Sequence, residues 1–276
     1  MGRYDRAPPA TRRRAVGGPR VEMRGWSVLI TGGSRGIGLA TARLALSRGA
    51  SVTIGGRDPE RLEAAAADLD ARDRVATIAA DVGSVEGCRA TVDAATTTFG
   101  RLDLLFTNAG DYGAAPVEQV DEATWDRTID THLKGTFFCV QAALPWLREA
   151  GGSIVTMASD AGLLGLRGGW AAYSAAKGGV VSLTRQLAVD LAPSVRVNAV
   201  APGPVATDHL FRDLADGSYG GLEVAADPAA AIAEALPLKR LIAPEEIAEA
   251  VLFLATSRSM TGAVLNLDAG TTIALP

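Results

Sequence analysis

The chain has 276 residues, of which 48% are hydrophobic and 21% are charged. It can therefore bury the core of one large domain, and its composition is not that of a disordered chain. The net charge of −4 argues against a general nucleic-acid-binding protein, and no apolar run reaches the ~18–20 residues of a membrane span. Cys88 and Cys139 lie far apart without a C-x-x-C pattern, so neither a disulfide framework nor a metal site is expected. We expect a cytoplasmic protein.

The first 24 residues differ in composition from the rest of the chain. They contain seven arginines against Asp5 and Glu22, are rich in proline and glycine, and show no apolar periodicity. They also lack the apolar region of a signal peptide. We expect residues 1–24 to form a disordered basic tail, with an arm that contacts a polyanion as the alternative, and residues 25–276 to form the folded domain.

Short apolar segments then alternate with segments of helical periodicity. Strands are predicted at 27–30, 50–55, 75–80, 102–107, 153–157, 195–200 and 264–267. Helices are predicted at 39–48, 60–69, about 121–149 and about 171–191, with a further one between the third and fourth strands. This alternation is typical of βαβ units. It predicts one doubly wound α/β domain of the Rossmann type, with a parallel sheet and helices on both faces.

The sequence TGGSRGIG at residues 31–38 lies where the first strand ends and a helix begins. Glycines at such a turn let a pyrophosphate approach the N-terminus of the helix, where free N–H groups favour an anion. The spacing is G-x-x-x-G-x-G rather than the common G-x-G-x-x-G. The segment predicts a dinucleotide-binding loop formed by Gly32, Ser34, Arg35, Gly36, Ile37 and Gly38.

The end of the second strand bears on the choice of dinucleotide. An NAD site places a carboxylate there for the ribose 2′-hydroxyl, whereas a 2′-phosphate favours arginine. Asp58 is followed by Pro59 and a helical segment, so it is a natural helix N-cap. Gly56 leaves room, and Arg57 and Arg35 can pair with a phosphate. We favour NADP(H); the alternative is that both arginines are only solvated.

A tyrosine and a lysine lie four residues apart in a predicted helix. Tyr173 and Lys177 therefore project from the same face. A positive charge at ~4 Å in an effective dielectric of ~20 is worth ~4 kcal/mol, which would lower the pKa of a phenol by ~3 units and favour proton transfer near neutrality. Upstream, Ser159 follows a predicted strand, where its hydroxyl can bind a reacting oxygen; a lone serine there is also a common turn or cap residue.

In these motifs and their order the sequence resembles the short-chain dehydrogenase/reductase family, in its small single-domain branch. The resemblance runs from about Trp26 to Gly270 and includes the C-terminal segments APEEIAEAVLFLA and TGAVLNLDAG. It implies that the tyrosine passes a proton, the serine orients the oxygen, and the lysine acts on the phenol and holds the nicotinamide ribose. The further cofactor contacts that it implies are Asp81, Val82, Asn108, Ala109, Gly110, Tyr173, Lys177, Pro202, Gly203, Val205 and Thr207.

By this resemblance we expect an oxidoreductase that transfers hydride between NADP(H) and a ketone or secondary alcohol, most simply a ketone or 3-oxoacyl reductase. An NAD(H)-dependent alcohol dehydrogenase of the same fold is the alternative within the enzyme class. A dinucleotide-sensing protein without catalysis is the alternative outside it. The family also implies a homo-oligomer, either a homotetramer or a dimer, and the excess of arginine over lysine suggests a bacterial source.

One position departs from the family pattern. His132 stands in DTHLKGT, where the family usually has an asparagine that holds a water in a proton relay. Histidine can both donate and accept a hydrogen bond, so it can replace the asparagine and add a titration near pH ~6.5. The competing interpretation is a packed, hydrogen-bonded histidine.

The substrate side is less specific. Residues 208–236 contain several glycines and predict a mobile lid. Leu163, Leu164 and Trp170 suggest a moderately apolar pocket, although Trp170 can equally belong to the core or to a subunit interface.

Overall fold

The computed structural model describes residues 21–111, 114–215 and 227–274. Seven strands form one sheet in the order β3-β2-β1-β4-β5-β6-β7, and every neighbouring pair is parallel. The predicted doubly wound parallel sheet is confirmed. In chain order the strands are β1 Ser27–Thr31, β2 Ser51–Gly56, β3 Val75–Ala79, β4 Leu104–Thr107, β5 Ser153–Met157, β6 Arg196–Pro202 and β7 Val264–Leu267.

The described helices connect these strands across both faces of the sheet. They are α1 Gly36–Ser47, α2 Pro59–Leu69, α3 Val85–Phe99, α4 Glu122–Ile129, α5 Gly135–Ala150, α6 Ala171–Leu191, α7 Asp208–Ala215, α8 Pro228–Ala235, α9 Pro244–Thr256 and α10 Thr271–Ala274.

Alternate residues of the central strands supply two cores. In β1, Val28 and Ile30 pack in the cluster that contains α1, α2 and α9, whereas Leu29 packs in the cluster that contains α3, α5 and α6. All three side chains are fully buried. A strand buried on both faces is expected to be apolar throughout rather than alternating, which is why SVLI gives so clear a signal in the sequence.

The connectivity decides where a ligand site can form. After β3 the chain returns to the opposite side of β1, so β1 pairs with both β2 and β4. This is the topological switch point of a doubly wound sheet, where a crevice opens beyond the carboxyl ends of the strands.

Three details differ from the sequence-based expectations. The helix predicted at about 121–149 consists of α4 and α5 joined by a π-helical turn at Asp130–Lys134. Met23 is fully buried, and its amide donates to the carbonyl oxygen of Arg48 at 2.7 Å, so the packed chain starts before the predicted boundary at residue 25. Residues 1–20 of the predicted tail and residues 216–226 of the predicted lid lie outside the described residues. Among the described helices, none is long and apolar enough to cross a membrane.

Candidate active site

A cavity of about 240 Å³ opens at the carboxyl ends of the central strands. It collects residues that are far apart in the sequence, including nearly all of those singled out from it. The predicted residues in its wall are Gly32, Ser34, Arg35, Gly36, Ile37, Arg57, Asp81, Val82, Asn108, Ala109, Gly110, His132, Ser159, Tyr173, Lys177, Pro202, Gly203, Val205 and Thr207. Among the predicted catalytic and cofactor-binding residues, Gly38 does not line it. Leu163, Leu164 and Trp170, which were expected at a substrate pocket, do not line it either.

Gly38 instead allows the loop before α1 to close on itself. A Cβ atom at this position would lie 2.3 Å from the carbonyl oxygen of Gly32, so no side chain fits. Gly36 has φ +53°, which favours glycine. The first turn of α1 contains no acidic residue, and no side chain caps it. Its N–H groups are therefore available to an anion in the cavity.

Asn108 fastens this loop to the neighbouring strand. Its Nδ2 donates to the carbonyl oxygens of Thr31 and Gly32, both at 2.9 Å. In return, Thr31 Oγ1 accepts from the amides of Asn108 and Ala109 at 3.0 Å each. These four hydrogen bonds hold the ends of β1 and β4 together beneath the cavity. Both hydrogen bonds that Asn108 Nδ2 donates in the structure therefore hold the loop in place.

A group of arginines surrounds the part of the cavity next to β2. Arg35, Arg57 and Arg61 all line it, and burial, followed by repulsion from Arg212 and Arg61, lowers the pKa of Arg35. Asp58 caps α2 by accepting from the Arg61 amide at 3.2 Å, and it also forms an ion pair with Arg61 Nε at 2.9 Å.

Gly56 also lines the cavity, and a Cβ atom there would make only ordinary contacts, with Leu62 Cδ2 at 3.6 Å and Ser34 Oγ at 3.8 Å. Arg61 was not predicted from the sequence as a residue of the site. Its position in the first turn of α2, three residues after the N-cap, is the signal that could have found it.

Tyr173 and Lys177 lie on one face of α6, as their spacing predicts, and the ammonium nitrogen is 5.4 Å from the centre of the phenol ring. Lys177 Nζ donates to the carbonyl oxygen of Met157 at the end of β5, at 2.8 Å. Burial lowers the pKa of Lys177 to about 7. A full positive charge at ~4 Å from the phenol was expected from the sequence. The lowered pKa runs against that expectation, because burial makes an ammonium group lose its proton more readily.

Ser159 ends the extended segment after β5 and lies in the same wall as Tyr173. Its Oγ donates to Asp160 Oδ1 at 2.9 Å and accepts from the Ala161 amide at 3.2 Å. The serine therefore also caps the short turn that follows, as the structural alternative in the sequence analysis had it. Burial raises the pKa of Asp160 to about 6.

His132 lies in the π-helical turn with its ring edge-on to Tyr173, at 5.2 Å between ring centres. Its Nε2 donates to the carbonyl oxygen of Asp111 at 2.8 Å. Since a carbonyl oxygen only accepts, the neutral ring carries its proton on Nε2. Nδ1 is then an acceptor, and it is buried without a hydrogen-bond partner among the described residues.

The expected titration of His132 near pH 6.5 was wrong. Burial, followed by the nearby charge of Lys177, holds the pKa of His132 well below its usual value. The ring therefore stays neutral across the physiological range. The sequence could not show this, because the packing that excludes water comes from Gly110 and Tyr173 on other elements.

Trp170 is 6% exposed and packs against Tyr173, with ring centres 5.8 Å apart. It belongs to a small apolar cluster with Ala161 and Leu166, which places it in the core behind the tyrosine. Leu163 is 37% exposed. Asp208 and His209, from the start of the predicted lid segment, also lie in the wall. Apart from Arg61, the remaining residues of the wall carry no motif of their own and were not predicted; they are Gly55, Ala80, Asp111, Thr131, Met157 and Ala158.

Comparisons with known proteins identify dehydrogenases and reductases as similar to this chain. A family model described as enoyl-(acyl carrier protein) reductase matches residues 32–272. A cis-4-hydroxycyclohexanecarboxylate dehydrogenase of Sinomonas cyclohexanicum is 41% identical over 249 residues, covering 88% of this chain and 95% of the relative. A 2-(S)-hydroxypropyl-CoM dehydrogenase of Xanthobacter autotrophicus is 41% identical over 250 residues, covering 89% and 96%. The crystal structure of levodione reductase has a TM-score of 0.83 at 34% identity, covering 91% of this chain and 99% of that one.

Proposed function

The chain belongs to the short-chain dehydrogenase/reductase family, and from this premise we propose that it is an NADP(H)-dependent enzyme that reduces ketones to secondary alcohols. The observation that carries the proposal is that Ser159, Tyr173 and Lys177 line the same cavity as the glycine loop. The named relatives are dehydrogenases and a reductase whose names refer to hydroxyl-bearing or carbonyl compounds. Their names support oxidoreduction between an alcohol and a ketone.

The cavity fits a dinucleotide. The loop has no side chains at Gly32, Gly36 and Gly38, so a pyrophosphate can come close to its backbone. The N–H groups in the uncapped first turn of α1 are available to the same pyrophosphate. When bound, the nicotinamide supplies or accepts the hydride. We assign the adenine end of the cofactor to Asp81 and Val82, and the nicotinamide end to Pro202, Gly203, Val205 and Thr207.

The protein groups then handle the oxygen of the substrate. Ser159 holds that oxygen by a hydrogen bond, and the Tyr173 hydroxyl delivers the proton as the carbonyl becomes an alcohol. Lys177, one helical turn from Tyr173 on α6, stabilises the ionised form of the phenol by its positive charge and binds the nicotinamide ribose. The neutral ring of His132 packs edge-on against the ring of Tyr173.

The preference for NADP(H) rests on the arginines beside β2. Arg35, Arg57 and Arg61 can pair with a 2′-phosphate by charge-assisted hydrogen bonds. Asp58 is the carboxylate that an NAD site would use. It already forms an ion pair with the Arg61 side chain and accepts a hydrogen bond from the Arg61 amide in the first turn of α2. An NAD(H)-dependent alcohol dehydrogenase remains the second candidate, because Asp58 also lines the cavity.

The test of this preference is the ratio of kcat/KM for NADPH to kcat/KM for NADH. We expect NADPH to be preferred, and we expect Arg57→Ala to reduce the ratio by roughly tenfold or more, mainly through KM for NADPH, since a hydrogen bond to a charged group is worth ~1.5–3 kcal/mol. Arg185→Ala, at an exposed position of α6 outside the cavity, is the matched control and should leave the ratio unchanged. Equal or better use of NADH by the unaltered chain would favour the second candidate. A chain that binds NADPH but converts no ketone or alcohol would be a dinucleotide-sensing protein.

A further inference from the structure

A buried carboxylate directly follows the serine of the cavity and has no part in the mechanism above. Asp160 is 6% exposed and Ser159 is 7% exposed. The serine hydroxyl donates to Asp160 Oδ1 at 2.9 Å, and the other acceptor within its reach, the carbonyl oxygen of Pro202, lies farther away at 3.5 Å. A hydroxyl has a single proton, so while Ser159 donates to Asp160 it cannot donate to the oxygen of a substrate.

The surroundings of Asp160 make it an unusual acid. Its Oδ1 also accepts from the Ala161 amide at 2.8 Å, and the structure records no ion pair between Asp160 and a basic side chain of the described residues. Burial is the largest cause of the raised pKa of Asp160, about 6, and repulsion from Asp268 adds to it. The carboxyl group therefore changes its charge near pH 6 rather than near pH 4.

The other charged and titratable groups nearby do not change their charge next to Ser159 in the way that Asp160 does. Asp268, beyond β7, is buried, which by itself would raise its pKa, but hydrogen bonds from Thr272 and Gly270 lower the pKa of Asp268 below its usual value. From α6, Tyr173 and Lys177 face the cavity, and the lysine donates to the Met157 carbonyl oxygen. Asp160 is thus the acid whose charge bears on the serine.

We propose that Asp160 is a positioning residue that competes with the substrate oxygen for the hydroxyl proton of Ser159, and that protonation of Asp160 releases the hydroxyl to the substrate. The proposal rests on the proposed function, in which Ser159 holds the reacting oxygen. A hydrogen bond to a carboxylate is stronger than one to a neutral carboxylic acid. Ionised Asp160 therefore withholds the hydroxyl, whereas neutral Asp160 gives it up. Because reduction and oxidation share one transition state, the effect applies to both directions.

The substitution Asp160→Asn removes the negative charge of the side chain but keeps its size and its acceptor oxygen. The amide oxygen can still accept from Ala161 and Ser159, but it is neutral at every pH. We expect kcat/KM for the ketone at saturating NADPH, divided by that of the variant, to fall by roughly fivefold as the pH rises from 5 to 8, since charged and neutral acceptors differ by ~1 kcal/mol. Taking this ratio removes the titrations that both proteins share, including that of Lys177. A ratio that does not change with pH would overturn the proposal.

A second measurement does not depend on turnover. The carboxyl carbon of Asp160 is followed by NMR in protein labelled at aspartate, in the unaltered chain and in Ser159→Ala. Loss of the donor should raise the pKa of Asp160, since the serine hydrogen bond favours the ionised form. An unchanged pKa would show that the two groups are not coupled and would end the proposal. If no ketone is converted but the pKa shifts, the proposed function fails while the coupling of Asp160 to Ser159 stands.

Discussion

The two ends of the cavity are built in different ways. Around the glycine loop, the chain controls the path of its backbone: glycines allow close approach, and the side-chain amide of Asn108 joins the ends of β1 and β4 by hydrogen bonds of 2.9 Å. Around Tyr173, the chain instead buries ionisable side chains, and the pKa of Lys177, His132 and Asp160 all depart from their usual values. The first end is thus defined by the path of its backbone, whereas the second end is defined by buried ionisable side chains. Clusters of shifted pKa values are typical of reaction centres.

The largest effect should come from removing the phenol oxygen at the second end. Tyr173→Phe keeps the ring that packs against Trp170 and His132 but loses the proton donor. We expect a loss of ~10²–10⁴-fold in kcat, with the dissociation constant for NADPH nearly unchanged. Stopped-flow oxidation of NADPH and a fluorescence titration measure the two quantities. Retained turnover would mean that the proton comes from another group.

The contact between the two ends can be tested at Gly110. A Cβ atom there would lie 2.0 Å from Cε1 of His132. Gly110→Ala should therefore lower the free energy of unfolding by about 1–3 kcal/mol, the usual range for overpacking. In the His132→Asn background the shorter side chain leaves room, so the same change should cost less.

Thermal or urea unfolding of the four proteins gives the coupling. Gly165→Ala is the control, because a Cβ at Gly165 would meet nothing within 4 Å. Additive effects at Gly110 and His132 would contradict the packing role given to the histidine.

A smaller effect concerns the proton balance of cofactor binding. In the cofactor-free chain the pKa of Lys177 is lowered to about 7 by burial. Hydrogen bonds from its ammonium to the ribose would raise that pKa, so binding of NADPH at pH 8 should take up a proton, approaching one per site. The sign follows from linkage: the bound form holds more protons, so affinity falls as the pH rises above 7.

Calorimetry in buffers of different ionisation enthalpy measures the uptake. Tyr173→Phe should preserve it and Lys177→Met should abolish it. Uptake that persists in Lys177→Met would assign the proton to another group.

The sequence and the structure agree best where local rules act. The strand SVLI, the glycine spacing and the proline after Asp58 are local signals, and they predicted β1, the loop and the capped α2 closely. The lowered pKa of Lys177 could not be predicted, because it depends on burial that arises only when α6 packs against β5 and the π-helical turn at Asp130–Lys134. The hydrogen bond between Ser159 and Asp160 was equally hidden: adjacent residues in a sequence do not reveal which way their side chains point. Arg61 was missed because its role depends on α2 being placed against the loop of β1.

The central claim is that this cavity transfers hydride between NADPH and a carbonyl carbon. The most direct test is to incubate the purified chain with a panel of cyclic and open-chain ketones and with NADPH that carries deuterium at C4 on one face or the other. We expect that one of the two labelled cofactors gives an alcohol with deuterium on the carbinol carbon, and that the other gives an unlabelled alcohol. Alcohol whose new carbon-bound hydrogen comes from solvent, or no alcohol from any ketone while NADPH binds, would contradict it.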